Sequence, residues 1–103
     1  MITESLRRMI KELLSSIAYD KIILFGSQAR GGSTNQSDFD LLVILKDTTP
    51  VGKKIRLSSA IRKSFASKMV DADILVKDRK DVDYLKDKPG SVIRQALQEG
   101  IQL

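Results

Sequence analysis

Leu6, Met9, Ile10, Leu13, Leu14 and Ile17 recur at the spacing of one helical face, and Thr3 stands where a hydroxyl can cap the first turn. The pattern predicts an amphipathic helix over residues 3–18. A short apolar run at 21–25 reads as a buried strand. Residues 26–37 are rich in Gly, Ser, Thr and Asn, which predicts a loop, with room for one helical turn near 27–30. Residues 38–45 form a second strand, with Phe39, Leu41, Val43 and Leu45 on one face and Asp38, Asp40, Leu42 and Ile44 on the other. Thr49-Pro50 is a helix-start signature with proline at the first helical position. Leu57, Ala60, Ile61, Phe65 and Met69 then mark the buried stripe of a helix over 51–68. Residues 72–76 are a third apolar strand, and the charged stretch 78–88 reads as a loop holding a short helical piece around 82–85. Ser91 can cap a last helix, with Val92, Ile93, Ala96 and Leu97 facing inward and Gly100 ending it. The order helix, strand, strand, helix, strand, helix predicts an α/β (α+β) fold: a small mixed sheet with helices packed against it.

Composition narrows this picture. A chain of 103 residues with 42% hydrophobic and 30% charged residues fits one globular domain, 1–103, and is too apolar for disorder. The sequence has no cysteine and no histidine, so disulfides, thiol nucleophiles, Ser-His-Asp triads and His-ligated zinc are excluded. Chemistry must rest on carboxylates, hydroxyls, amines and backbone. Charged residues interrupt the first twenty positions, which predicts neither a signal peptide nor a spanning helix; a cytoplasmic location is the expectation. The formal net charge of +5 suits a nucleic acid, an anionic small molecule or simple solubility, and does not choose among them.

The chemistry-bearing residues fall into one constellation. Neither a Walker-type nor a Rossmann-type glycine loop occurs. Instead, Gly26-Ser27 follows the first strand directly, ten residues intervene, and Asp38-Phe39-Asp40 opens the second strand. Residues i and i+2 of a strand project to the same side about 6.5–7 Å apart, so Asp38 and Asp40 point together and Phe39 points to the core. Paired carboxylates repel unless a cation neutralises them. Hard divalent ions take such oxygens together with phosphate oxygens. With Asp73 on a neighbouring strand, three carboxylates could hold two Mg²⁺ ions about 3.5–4 Å apart. The glycine allows close approach to a phosphate, the Ser27 hydroxyl and nearby N–H groups can bind its oxygens, and Arg30 is the nearest cation able to contact a polyphosphate.

The stretches Gly26-Ser27-Gln28-Ala29-Arg30-Gly31, Ser37-Asp38-Phe39-Asp40-Leu41-Leu42-Val43 and Asp73-Ile74-Leu75-Val76 resemble the minimal nucleotidyltransferases of the DNA polymerase beta-like nucleotidyltransferase superfamily. The tail 92–103 resembles that family's closing helix. The resemblance implies that Gly26 and Ser27 bind the terminal phosphates of a nucleotide and that Asp38 and Asp40 bridge the metals. It implies that Asp73 completes the metal site and helps deprotonate or orient the attacking hydroxyl. It further implies transfer of a nucleoside monophosphate, often AMP from ATP, with release of pyrophosphate. Members of this size are often paired with a HEPN-domain toxin, for which the nucleotidyltransferase is the antitoxin, and some add AMP to a tyrosine of the toxin. One feature departs from the family pattern: Asp71-Ala72-Asp73 offers two carboxylates on one strand face, with Asp73 the better match and Asp71 in reserve.

Family members that modify small molecules carry an added helical domain, which implies here that the acceptor pocket comes from a homo- or hetero-oligomeric partner. Two other readings stand beside it: a non-catalytic subunit that neutralises a toxin by binding, and one subunit of a small-molecule nucleotidyltransferase. The second helix holds Lys53, Lys54, Arg56, Arg62, Lys63 and Lys68 with no acidic residue in 51–70. That pattern suits a solvated face, an acidic protein partner or nucleic-acid phosphates. Five aromatic residues, three of them at core-like positions, do not supply a base-stacking platform.

Overall fold

The computed structural model describes residues 3–26 and 39–103. Among them run helix α1 (Glu4–Leu13), strands β1 (Tyr19–Phe25) and β2 (Phe39–Leu45), helix α2 (Val51–Ala66), strand β3 (Ala72–Asp78), helices α3 (Arg79–Leu85) and α4 (Val92–Glu99), and strand β4 (Ile101–Gln102). The expected α/β architecture is present, with two elements added to the predicted order. The short helical piece expected around 82–85 is present within a seven-residue helix, α3, that begins three residues earlier, at Arg79. Its start is fixed by a reciprocal cap: the Asp81 N–H donates to the Asp78 carboxylate and the Asp78 N–H donates to the Asp81 carboxylate. Strand β4 has two residues, too few for any alternation to show.

The other boundaries follow local chemistry. Thr3 caps α1, its hydroxyl accepting from the Leu6 N–H at 3.1 Å. The helix stops at Leu13, before Ser15 and Ser16, and 14–17 continue as turns instead of the expected helix. Leu14 is still fully buried, which is why the apolar periodicity overran the helix end. Pro50 is the N-cap of α2, one position short of the first helical position expected for it. Of the stripe expected on α2, Ile61 and Phe65 are buried and Leu57 packs at the core margin, whereas Ala60 is exposed. Met69 lies beyond the helix in a left-handed turn (φ 61°) and is 95% exposed, since helical spacing means nothing once the helix has ended. Ser91 caps α4 as expected, its hydroxyl accepting from the N–H groups of Ile93 and Arg94. Ile93 and Ala96 face inward, while Val92 and Leu97 remain substantially exposed because so short a helix covers the sheet along a single narrow line.

The four strands form one mixed sheet in the order β3-β2-β1-β4. β1 runs antiparallel to β2 and β4, and β2 runs parallel to β3, the crossover being α2. Alternation along the strands sorts side chains into two cores. Ile22, Leu24, Leu41, Val43, Ala72 and Val76 pack with Ile10 of α1, with Leu14 just past that helix, and with Ile61 and Phe65 of α2. On the opposite face Ile23, Leu42 and Ile44 pack with Ile93 and Ala96 of α4, flanked by Val82 and Leu85 of α3. Burying an aliphatic side chain of this kind contributes about 1.5–3 kcal/mol, so both faces of β2 are strongly specified. Phe39, Leu41, Val43 and Leu45 do share one face, as the alternation predicted.

Candidate active site

The chemistry-bearing residues gather at one end of the sheet. Because β1 and β2 are antiparallel, the end of β1 adjoins the start of β2, and Phe25 is the register partner of Asp40. Because β2 and β3 are parallel, the starts of these two strands adjoin, and Asp40 is the register partner of Asp73. In-register residues on neighbouring strands lie about 4.8 Å apart and project to the same side. Both carboxylates therefore emerge on the face covered further along by α4. A single sequence shift would have turned one of them into the α1/α2 core.

Gly26 ends β1 with φ +77°, in the left-handed region that favours glycine. A Cβ atom added there would fall on the Asp40 carboxylate. The glycine thus serves two needs at once: the turn out of β1, and space for the carboxylate beside it. An open cleft of about 470 Å³ spans this end of the sheet, lined among others by Gly26, Asp40, Asp73, Arg62 of α2, and Val92 and Gln95 of α4.

Of the residues singled out from the sequence, Gly26, Asp40 and Asp73 come together at this cleft. Ser27, Arg30 and Asp38, and the possible helical turn near 27–30, lie outside the described residues. Asp71 and Asp73 do not share a strand, since β3 begins at Ala72. The Asp71 carbonyl accepts from the Phe39 N–H at 3.2 Å, which ties the start of β2 to the segment before β3. Asp73, and not Asp71, stands in register with Asp40. Among the described residues no three metal-binding side chains converge; Asp40 and Asp73 meet as a pair.

Two lining residues had no distinguishing mark in the sequence. Arg62 was one of six cations on a basic helix, and Gln95 was one polar position on α4. Arg62 reaches the cleft around β3, the edge strand, and makes no ion pair among the described residues. A two-residue periodicity reports which face a strand residue takes, but not which helix residue overhangs a sheet edge.

A second polar cluster lies at the far end of β3. Asp78 is 2% exposed, accepts from the N–H groups of Thr49 (2.9 Å) and Asp81 (2.9 Å), and faces the Lys54 ammonium at 3.6 Å. Lys54 also bridges to Asp81. Burial pushes the Asp78 carboxyl up, but the two N–H donors and Lys54 outweigh it and hold its pKa below the ordinary value. The hydrogen bond to Asp81 raises the Lys54 pKa; burial opposes this, and the attraction of Asp81 and Asp78 adds to it, leaving a net rise. Every group here has a partner within the cluster, which marks it as a structural clamp.

Comparison with known proteins gives one family and several solved structures of similar fold. The model of the "Polymerase beta, Nucleotidyltransferase" family matches residues 8–103. No curated protein matches by sequence. Among solved structures, a toxin–antitoxin crystallised with AMP-PNP is similar at 24% identity and TM-score 0.63, over 92% of this chain and 69% of that one. A candidate nucleotidyltransferase from Sulfolobus solfataricus is similar at 21% identity and TM-score 0.60, over 93% and 73%. A complex of the tri-AMPylated Shewanella oneidensis HEPN toxin with its MNT antitoxin is similar at 21% identity and TM-score 0.54, over 92% and 66%. These likenesses establish the fold.

Proposed function

The chain belongs to the polymerase beta nucleotidyltransferase family, and from that premise we propose that it transfers a nucleoside monophosphate, AMP from ATP, to a hydroxyl on a partner protein. The observation that carries this reading is the parallel register that sets Asp40 against Asp73 beside Gly26. Like charges directly opposite one another destabilise a sheet, so the pairing makes sense as a place for positive charge. The donor set is hard oxygen on two rigid strands, with a glycine cradle alongside; it fits Mg²⁺, which takes one or two carboxylates together with substrate phosphates. Asp40 and Asp73, joined by Asp38, would hold Mg²⁺, two ions in the full site. When bound, such ions neutralise charge on the phosphates and on the leaving pyrophosphate.

The chain's own residues supply the rest. Gly26 lets the backbone approach the terminal phosphates, with Ser27 and Arg30 contributing a hydroxyl and a guanidinium. The acceptor hydroxyl oxygen forms a bond to the α-phosphorus as the bond from that phosphorus to the bridging oxygen breaks, and pyrophosphate leaves with that oxygen. A carboxylate oxygen of Asp73 orients the acceptor hydroxyl and accepts its proton. Substrate positioning of this kind accounts for much of the rate in phosphoryl-transfer reactions.

The partner we infer is a HEPN-type toxin, with this chain as the antitoxin in a hetero-oligomer. Two of the similar structures are toxin–antitoxin complexes, one holding a nucleotide analogue and one an AMPylated toxin. The cleft is open beside β3, so an acceptor has to arrive on another molecule. The test is to incubate the chain and the product of the adjacent gene with α-labelled ATP and Mg²⁺. Label on the partner, reduced at least about 10³-fold by Asp40→Asn or Asp73→Asn with far-UV dichroism unchanged, is expected. Neutralisation of the partner by the Asp40→Asn, Asp73→Asn double variant with no label transferred would instead establish a binding subunit without turnover.

A further inference from the structure

Helix α2 presents a second line of residues that the core does not use. Val51, Ile55, Ser59, Arg62 and Ala66 follow one another at four- and three-residue steps and so share a face. Val51 is 67% exposed and Ile55 62%. With the outer edge of β3 this exposed line bounds an open groove of about 300 Å³, whose lining includes Val51, Ile55, Ser59, Arg62 and Lys77. Arg62, Ile74 and Leu75 line both this groove and the Asp40/Asp73 cleft. Groove and cleft therefore adjoin, with Arg62 on their common border.

The sheet order gives the groove a direction. Gly26 ends β1, Asp40 stands on β2, Asp73 on β3, and Arg62 lies beyond the edge. A nucleotide whose terminal phosphates lie at Gly26 would leave the Arg62 side to the incoming hydroxyl, because displacement at phosphorus keeps the attacking and leaving oxygens roughly in line. From Val51 to Arg62 the helix advances about 16 Å at 1.5 Å per residue, the length of about five residues of extended chain.

Resting on the nucleotidyltransferase reading, we propose that this groove seats the acceptor: an extended, acidic segment of a partner protein that delivers its hydroxyl past Arg62 to Asp73. Two features select that occupant. α2 carries five Lys and Arg residues and no acidic one, and Arg62 and Lys77 in the groove make no ion pair among the described residues. Alternating with this charge are exposed aliphatic side chains, which suit a polypeptide, where a nucleic acid would call for aromatic platforms. Lys54 and Asp81, also at the groove, are already committed to each other. Ser58 donates its hydroxyl to the Ile74 carbonyl at 2.6 Å, which blunts the edge of β3, so recognition comes from side chains and not from an added strand.

Binding of fluorescein-labelled heptapeptides to the full chain, read by anisotropy without nucleotide, tests this directly. A peptide of alternating valine and glutamate should bind at least about tenfold more tightly than its valine–lysine counterpart, and more tightly than an oligoadenylate of equal length. Arg62→Glu should abolish the preference for the acidic peptide. Ile55→Asp should weaken that peptide about tenfold while leaving MgATP affinity and the unfolding temperature of the chain as they were. Equal binding of the two peptides, indifference to both substitutions, or tighter binding of the oligoadenylate would overturn the proposal. A wild-type chain that selects the acidic peptide but fails to bind MgATP would overturn the nucleotidyltransferase reading alone.

Discussion

At Gly26 a single hydrogen in place of a methyl group decides whether the cleft exists. Its φ of +77° costs an alanine about 1–2 kcal/mol, and the added Cβ would drive the Asp40 carboxylate from its place. Gly26→Ala should therefore lower stability by about 1–2 kcal/mol in urea unfolding. It should lower nucleotidyl transfer by at least about a hundredfold, well beyond what the loss of folded protein explains. At this scale the sequence was informative where residue type and spacing act together: glycine after a strand, and aspartates at strand starts. It distinguished Asp73 from Asp71 only weakly, because both carboxylates lie at the same short spacing. The strand boundary at Ala72 and the register with Asp40 separate them. Arg62 was illegible for another reason, since its meaning comes from overhanging an edge strand whose neighbours are distant in sequence.

Elements were legible where periodicity and caps agree. α4 is capped by Ser91 and stops before Gly100 as its sequence indicates, and β2 alternates over its whole length. They were obscured where burial continues past an element, as at Leu14, or where a cap reaches backwards from a charged stretch, as at α3. The Asp78 clamp shows how strongly such a cap can be built. Asp78→Ala removes two charge-assisted N–H bonds and a counter-ion, and should cost about 2–3 kcal/mol. The pH response has a definite sign. A carboxyl held below its ordinary value adds stability above about pH 4 and loses it as pH falls through the folded value. Lys54, held above its ordinary value of about 10.4, adds stability below that pH and loses it as pH rises beyond. Thermal unfolding should therefore show an acid limb below about pH 4 that is shallower in Asp78→Asn, and an alkaline limb above about pH 10 that is shallower in Lys54→Met.

The molecule as a whole closes through its last residues. β4 pairs with β1 at Ile23 and Leu24, and the Leu103 N–H donates to the Ile22 carbonyl at 2.9 Å. Gly100 makes this return possible, since a Cβ there would collide with Ile23 and with the backbone of Ala96. Gly100→Ala should accordingly cost about 1–3 kcal/mol and speed amide exchange at Leu103 without changing the cleft residues. Neither the strand order nor this two-residue strand could be read from local pattern, because both are long-range pairings that no window of sequence contains. What could be read was the number of amphipathic layers, and from it the class of fold.

The ladder that sets Asp40 against Asp73 also sets Leu45 against Asp78. Both ends of β3 are therefore held in one alignment, with the Lys54–Thr49 grip about 17 Å from the carboxylate pair at 3.3 Å per residue. A strand clamped at its tail cannot creep along its neighbour. Misaligned copies of this protein would thus be silent rather than errant, and its chemistry can be no looser than its folding.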